Sequence, residues 1–429
     1  MKAIFALALV TCQFIIVKPE SALSTRSPRC EVNLGDPLSG DTIFFNQFLS
    51  VARCVKKDYL GKKEMASPYS ERIPDIPSES IDSKLVEKFP FIVGPETIEV
   101  LESEDVAYTG ADDGYIYEID LIGWNATKLT TACSASGVTQ CRPQGIRVTS
   151  DNKMYFADLA GLCVYDFSTA EVTVLVPRLS VVENLTVMLP NDLDVDEGTQ
   201  IVYMSDGSTN YANTDILRGT LLHENSGRVL AYDIKTGEVS VLVSSLSFPN
   251  GIQLSHDKKT LLVNEMNKRR ILQVTLAEAS KGEYKVFTPA LPGEPDNIRA
   301  ASNGNYWVAI NLARNGSQKV FYDYIANDKC ATERYIKMND FVVEYLRLVG
   351  KTTQREDYDR VADRLGSYQF ISEMASHQGS FVLVDGSGKV TKRYTSEKTG
   401  FFSNPTEYKN MLLIGNDRHP NIAIVQGIL

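Results

Sequence analysis

Five short phrases in this chain place an oxygen-bearing side chain directly after a proline. They are Pro95-Glu96-Thr97-Ile98, Pro143-Gln144-Gly145-Ile146, Pro190-Asn191-Asp192-Leu193, Pro249-Asn250-Gly251-Ile252 and Pro295-Asp296-Asn297-Ile298. Any one Asn or Asp after Pro reads as a turn. Five copies in phase read instead as one site, provided the fold brings them to a common axis. Carboxylates gathered there cannot be buried unpaired at tolerable cost. No Lys or Arg holds an equivalent position to neutralise Glu96 and Asp296, so a dication is expected. Every candidate donor is an oxygen and none is imidazole or thiolate, which favours calcium over zinc. Magnesium is the weaker rival because it retains its waters. A calcium ion with an open coordination position is a Lewis acid toward a carbonyl, with Glu96 or Asp296 as the candidate catalytic carboxylate.

The elements that must carry these residues follow from the same repeat. After each phrase comes a polar turn, such as Ser150-Asp151-Asn152 or Ser302-Asn303-Gly304, and then a strand rich in β-formers: residues 106–109, 154–157, 201–204, 261–263 and 306–309. A second hairpin is legible in Arg228 to Asp233, turning at Lys235-Thr236-Gly237 into Val239 to Val243. Two hairpins make a four-stranded sheet. Successive polar positions fall 48, 47, 59 and 46 residues apart, close to the ~40–50 residues of one propeller blade. Ser403-Asn404-Pro405, before residues 411–414, reads as a degenerate sixth copy. The surplus ahead of it falls at about 328–366, where Met338, Phe341, Val342, Tyr345 and Leu346 stand at helical spacing. The expected fold is therefore an all-β, six-bladed β-propeller over residues 91–429, with that helical insertion as a packed cap and an N-terminal extension at 25–90.

The bulk numbers agree with a globular chain. Its 429 residues are 43% hydrophobic and 23% charged, with a formal net charge of −10 and no concentration of Lys and Arg, which argues against a nucleic-acid partner. Lys2, an apolar run from Ala3 to Val17 and the small residues Ala22-Leu23-Ser24 read as a signal peptide over 1–24. The run is shorter than the ~20 residues that cross a bilayer, and an uncleaved anchor is the alternative. Six cysteines remain beyond Cys12. Cys133 and Cys141 bracket a short polar segment and are expected to pair, while Cys30, Cys54, Cys163 and Cys330 allow three connectivities. Sequons at Asn125, Asn184 and Asn315 are expected glycosylation sites of a secreted, lumenal or cell-surface protein.

These phrases resemble the strictosidine synthase-like family, nearest its animal adipocyte plasma membrane-associated branch, and more distantly the paraoxonases. The resembling stretches run from about Gly94 to Gln426 and include Cys141-Arg142-Pro143-Gln144-Gly145, Asn191-Asp192-Leu193-Asp194, Phe248-Pro249-Asn250-Gly251 and Leu291 to Arg299. The resemblance implies a six-bladed propeller. Carried over from the paraoxonases, it implies calcium ligands at Glu96, Asn191, Asn250, Asp296 and Asn297. Two departures limit what else it implies. Ser403 stands where strictosidine synthase has its acid-base glutamate, and Gln144 stands where paraoxonases have a histidine. A hydroxyl and an amide cannot take over those proton transfers.

Other residues carry less. His419 lies near the loop of the last repeat, and a lone surface histidine is usually not catalytic. Glu265 reads as a structural hydrogen-bonding partner. No Gly-x-Ser-x-Gly, Walker or His-Glu-x-x-His sequence is present, which excludes several common enzyme classes. Two functions remain. One is a calcium-dependent hydrolase of small aryl esters or lactones. The other is a non-catalytic binding propeller with structural calcium, either secreted or associated with a membrane. Amine–aldehyde condensation is disfavoured by Ser403.

Overall fold

The computed structural model of the chain describes residues 74, 76–135, 137–314, 323, 329–367 and 378–429. The expected signal segment, Cys12, Cys30, Cys54, Asn315 and the side chain of Cys330 lie outside the described residues. The chain divides into two compact units, Met1–Pro68 with Val320–Ala362, and Tyr69–Lys319 with Asp363–Leu429.

The described part of the first unit is helical. Helix Lys329–Thr353 is followed by helix Glu356–Gly366, which runs across the division between the units. Its buried positions include Ile336, Val343 and Leu346, while Met338, Phe341, Val342 and Tyr345 are half-buried. Of the five residues singled out by spacing, only Leu346 is fully buried. No helix among the described residues is long and apolar enough to cross a membrane.

The second unit is mostly β. Its described residues form six sheets of four or five strands and one two-stranded ribbon. The first sheet runs Ile98–Leu101, Val106–Gly110, Ile116–Asp120 and Asn125–Thr130, each strand antiparallel to the next. Four sheets repeat this plan in chain order, opening on Ile146–Thr149, Pro190–Asp196, Pro249–Leu254 and Gly293–Ala300. The helices are inserted within the fifth sheet, between Tyr306–Ala313 and Gly379–Val384.

The sixth sheet combines residues from both ends of the unit. Phe402–Tyr408, Met411–Asn416 and Pro420–Gln426 are joined at the edge by Leu85–Val93. Strand Ser78–Ser80 adds in parallel to the fifth sheet. Among the described residues sheet pairing thus begins at Ser78, within the stretch that reads in the sequence as an N-terminal extension to residue 90.

The opening strands touch one another in chain order, and that of the sixth sheet touches that of the first. Between consecutive sheets lie apolar clusters. One packs Tyr108 and Ile116 of the first sheet on Ile146 and Phe156 of the second, and another packs Trp307 and Phe381 of the fifth on Phe402 and Ile414 of the sixth. Near-continuous apolar runs such as Tyr306–Ala313 and Gly379–Val384, buried along their whole length, suit strands covered on both faces.

The repeated phrase has a structural counterpart. In the third, fourth and fifth sheets the opening strand carries one extra residue against its neighbour between the proline and the apolar residue: Pro190 to Leu193, Pro249 to Ile252 and Pro295 to Ile298. The sixth sheet has the same irregularity between Phe402 and Pro405. Such bulges re-aim side chains, and they set Asn191, Asn250, Asp296 and Ser403 at matching positions.

The proline entries are held from the neighbouring strand. Asp158 accepts from the Arg142 N–H (3.1 Å), Asp206 from the Leu189 N–H (2.9 Å) and Glu265 from the Ser247 N–H (2.8 Å). Each acid ends the second strand of its sheet and satisfies the backbone just ahead of the proline, which has no N–H of its own.

Candidate metal centre

The polar residues of the five phrases, with Asn297 beside Asp296, are all buried. Glu96, Gln144, Asn191, Asn250, Asp296 and Asn297 are each less than a tenth exposed. Two glycines make their close approach possible. A Cβ on Gly251 would fall 2.4 Å from Asn297 Cα, and one on Gly145 would fall 2.5 Å from Asp192 Oδ1. Adjacent opening strands pack backbone to backbone there, and the Gly145 N–H donates to the Asn191 carbonyl (2.8 Å).

Hydrogen bonds orient several of these side chains. The Asn191 Nδ2 donates to Gln144 Oε1 (2.8 Å), so the group left on Asn191 for other partners is its Oδ1. The Asn311 Nδ2 donates to Asp296 Oδ2 (2.8 Å), and Asn264 Nδ2 donates to the Asp296 carbonyl (2.5 Å). The Asn250 Nδ2 faces Met266 Sδ (3.5 Å). The buried Oδ1 atoms of Asn250 and Asn297 have no hydrogen-bond partner, nor do those of Asn311 and Asn264. Buried polar atoms are nearly always satisfied, so this cluster of orphaned amide oxygens has the chemistry of ligands to a hard cation.

The electrostatics fit as well. Glu96 is pushed up to about 8, first by burial and then by Asp417, with Arg142 opposing. Asp296 is also pushed well up, by burial, by Glu96 and by Asp417, against hydrogen bonds from Asn311 and Asn250. Glu96, Asp296 and Asp417 therefore repel one another in a desolvated space, which a hard cation bound by oxygens relieves. Among the described residues no three His, Cys, Asp or Glu side chains form a ready metal cage. The donor set is mainly amide.

A basic neighbour reaches Glu96 from outside the repeated phrase: Arg142 Nη2 lies 3.6 Å from Glu96 Oε2 while its Nε holds Asp112 Oδ1 at 2.7 Å. Arg142 precedes Pro143 and so occupies no equivalent repeat position. The bond from its own N–H to Asp158, together with the adjacent Cys133–Cys141 disulfide, fixes its backbone.

Asp417, Asn311 and Arg142 were missed in the sequence because none belongs to the repeated phrase. The available signals were the place of Arg142 directly before Pro143, and the places of Asn311 and Asp417 near or just past the end of the second strand of their sheets.

Ser403 Oγ donates to the Glu96 carbonyl (2.6 Å) and is fully buried, which leaves its hydroxyl committed. His419 packs on the Phe401 ring at 5.3 Å. Glu265 is a fully buried tie, bound by Lys268 (2.8 Å) and Arg270 (2.5 Å), in keeping with its structural reading.

The expected Cys133–Cys141 disulfide is present. Cys163 is not available for pairing: it is a free thiol buried among Met154, Phe156 and Tyr165, and burial pushes that thiol up. Asn125 and Asn184 are both exposed. Asn184 sits at the tip of the ribbon Val181–Val182 with Leu185–Thr186, which buried Arg228 holds through the Val182 and Leu185 carbonyls.

A propeller-like β fold with a buried, oxygen-rich centre is the class these features define. The chain is similar to the adipocyte plasma membrane-associated protein of Gallus gallus, at 31% identity over 77% of this chain and 75% of that protein. It belongs to the strictosidine synthase-like family, in the branch of those proteins. The family described as Strictosidine synthase matches residues 191–279. The relative from Salmo salar is 37% identical, but the match spans 52% of this chain and about half (55%) of the relative's length. Among solved structures the chain is similar to a gluconolactonase from Xanthomonas campestris, with TM-score 0.52 and 12% identity over 85% of this chain and 98% of that one. It is also similar to a luciferin-regenerating enzyme, with TM-score 0.50 and 10% identity over 80% and 96%. At these identities the likeness concerns the fold alone.

Proposed function

We propose that the six sheets are the blades of a closed six-bladed propeller whose centre holds one calcium ion, and that the protein hydrolyses small esters or lactones there. The observation that carries this reading is the set of unpartnered buried oxygens on Asn250 and Asn297 beside the buried carboxylates of Glu96 and Asp296. Glu96, Asn191, Asn250, Asp296 and Asn297 would hold the ion. When bound, calcium supplies a Lewis acid for an ester carbonyl.

The chain's own residues supply the remainder. Asn311 and Asn250 hold the Asp296 carboxylate, and Arg142 opposes the rise that burial and Asp417 impose on Glu96. Either carboxylate can take the proton of an attacking water as its oxygen bonds to the carbonyl carbon. The acyl carbon–oxygen bond then breaks, and the leaving oxygen recovers that proton. Gluconolactonase likeness supports the substrate class at the level of fold.

A second reading is favoured by two observations. Ser403 is tied to the Glu96 carbonyl, and Gln144, which replaces a histidine, is tied to Asn191. With neither base present, the ion could be purely structural in a binding propeller. The name of the relatives supports a membrane-associated setting, with export and sugar on exposed Asn125 or Asn184.

The deciding test is calcium titration of the purified chain, followed by hydrolysis of phenyl acetate and a lactone panel with calcium or chelator. One calcium per chain and chelator-sensitive hydrolysis are expected. At a free calcium of 100 times Kd, stabilisation of about 2.7 kcal/mol should appear as a raised Tm. Normal calcium binding without hydrolysis above a metal-free control would support the binding propeller instead.

A further inference from the structure

Beside the candidate ligands in the chain, an arginine bridges strands that do not neighbour each other. Arg299 of the fifth sheet donates through Nη1 to Asp192 Oδ2 (2.9 Å) and through Nη2 to Asp192 Oδ1 (3.1 Å) of the third. Its Nη2 also reaches Thr97 Oγ1, just ahead of the first sheet's opening strand (3.3 Å), and Nη1 donates to the Ile298 carbonyl (2.7 Å). Asp192 Oδ2 additionally accepts from the Ile252 N–H of the fourth sheet (2.9 Å). Both charged residues are buried, Asp192 completely.

Each arm of this knot ends next to a candidate ligand. Asp192 follows Asn191, Thr97 follows Glu96, Ile252 is two residues beyond Asn250, and Arg299 is two beyond Asn297. Within a sheet the ladder of hydrogen bonds fixes strand spacing. Between opposite opening strands only side chains can do so. A guanidinium bound fork-to-fork by a carboxylate sets both distance and angle, which an ammonium cannot.

We infer that the Arg299–Asp192 pair is a positioning device for the cation site, holding Glu96, Asn191, Asn250 and Asn297 at ligand spacing. This rests on the calcium reading above.

The test compares calcium dissociation constants by calorimetric titration with the Tm of the chelated protein, for wild type, Arg299→Lys, Asp192→Asn and the double variant Arg299→Met/Asp192→Leu. Outer partners of metal ligands typically carry about 10- to 100-fold in affinity, and a loss of that size is expected in both single variants. The double variant removes the unpaired buried charge, so its chelated Tm should recover while its calcium affinity stays low.

A merely structural pair would instead let affinity return with Tm, and that result, or wild-type affinity in Arg299→Lys, overturns the proposal. Should the Arg299 variants not fold, Thr97→Val removes one arm at nearly constant volume. It should bind calcium more weakly with little change in chelated Tm, and unchanged affinity is again contrary. Absence of calcium binding by the wild type would overturn the calcium reading itself and this inference with it.

Discussion

Asp296 and Asn250 face the same buried space but contribute differently. Asp296 brings charge, and Asn250 brings an amide oxygen that nothing else satisfies. Asp296→Ala and Asn250→Ala are each expected to weaken calcium binding by at least about 10- to 100-fold, whereas Gln144→Ala, which removes only a partner of Asn191, should cost less. Equal losses in a titration series would show that the ligand set is wrongly drawn. Gln144→His is the informative gain. It would return a proton acceptor beside Asn191, and a positioned base is worth about 10² to 10⁴ in rate, so hydrolysis by the variant should exceed wild type. The donor atoms were legible because the phrase repeats them in register. Arg142 and Asp417 were not, since they approach Glu96 from 46 and 321 residues away in the chain.

Among the elements, the opening strands depend on glycine and on buried acids. The Cβ of Gly251→Ala would press on backbone atoms of the next strand, which cannot swing aside as a side chain does. We expect a loss of about 1–3 kcal/mol in denaturant unfolding, together with weaker calcium binding through displaced Asn297. The acid clamps make a prediction in pH. Asp158 is pushed up to about 6 from an ordinary 3.8, first by burial, against the N–H groups of Ala160 and Arg142. Between those values the folded chain keeps a proton that the unfolded chain has released. Its contribution to stability is therefore largest below about pH 4, falls as pH rises to about 6, and is level beyond. The Tm of wild type relative to Asp158→Asn should decline across that window, and a constant difference would refute the shift. The strand–turn–strand unit was plain in the sequence because turn residues and β-formers alternate. The bulge was not, because it exists only as a register between two strands.

For the second unit as a whole, the joining of Leu85–Val93 to Pro420–Gln426 completes the last sheet. Ile92 is fully buried in the cluster shared by the sixth and first sheets, while Val86 of the same strand is 45% exposed. Ile92→Ala should cost about 2–5 kcal/mol and Val86→Ala within about 0.5 kcal/mol by chemical denaturation. Similar small effects would mean that this strand is dispensable. Repeat counting found six phrases but missed this strand, because Leu-Val-Glu-Lys-Phe-Pro-Phe-Ile-Val has no phrase and reads like any edge strand with a proline. The central pair Arg299–Asp192 escaped for a related reason: its members are 107 residues apart.

The shared sixth sheet also has a consequence for biosynthesis. Ribosomes add about 5–20 residues per second, so Leu85–Val93 waits some tens of seconds before its partner at 420–426 emerges. Throughout that interval a strand carrying Phe89, Phe91 and Ile92 has an unpaired edge, the feature most prone to wrong partners. Nascent chains should therefore stay dependent on holding factors until translation is nearly over, and a stop codon before Pro420 would leave every earlier sheet formed around an open seam.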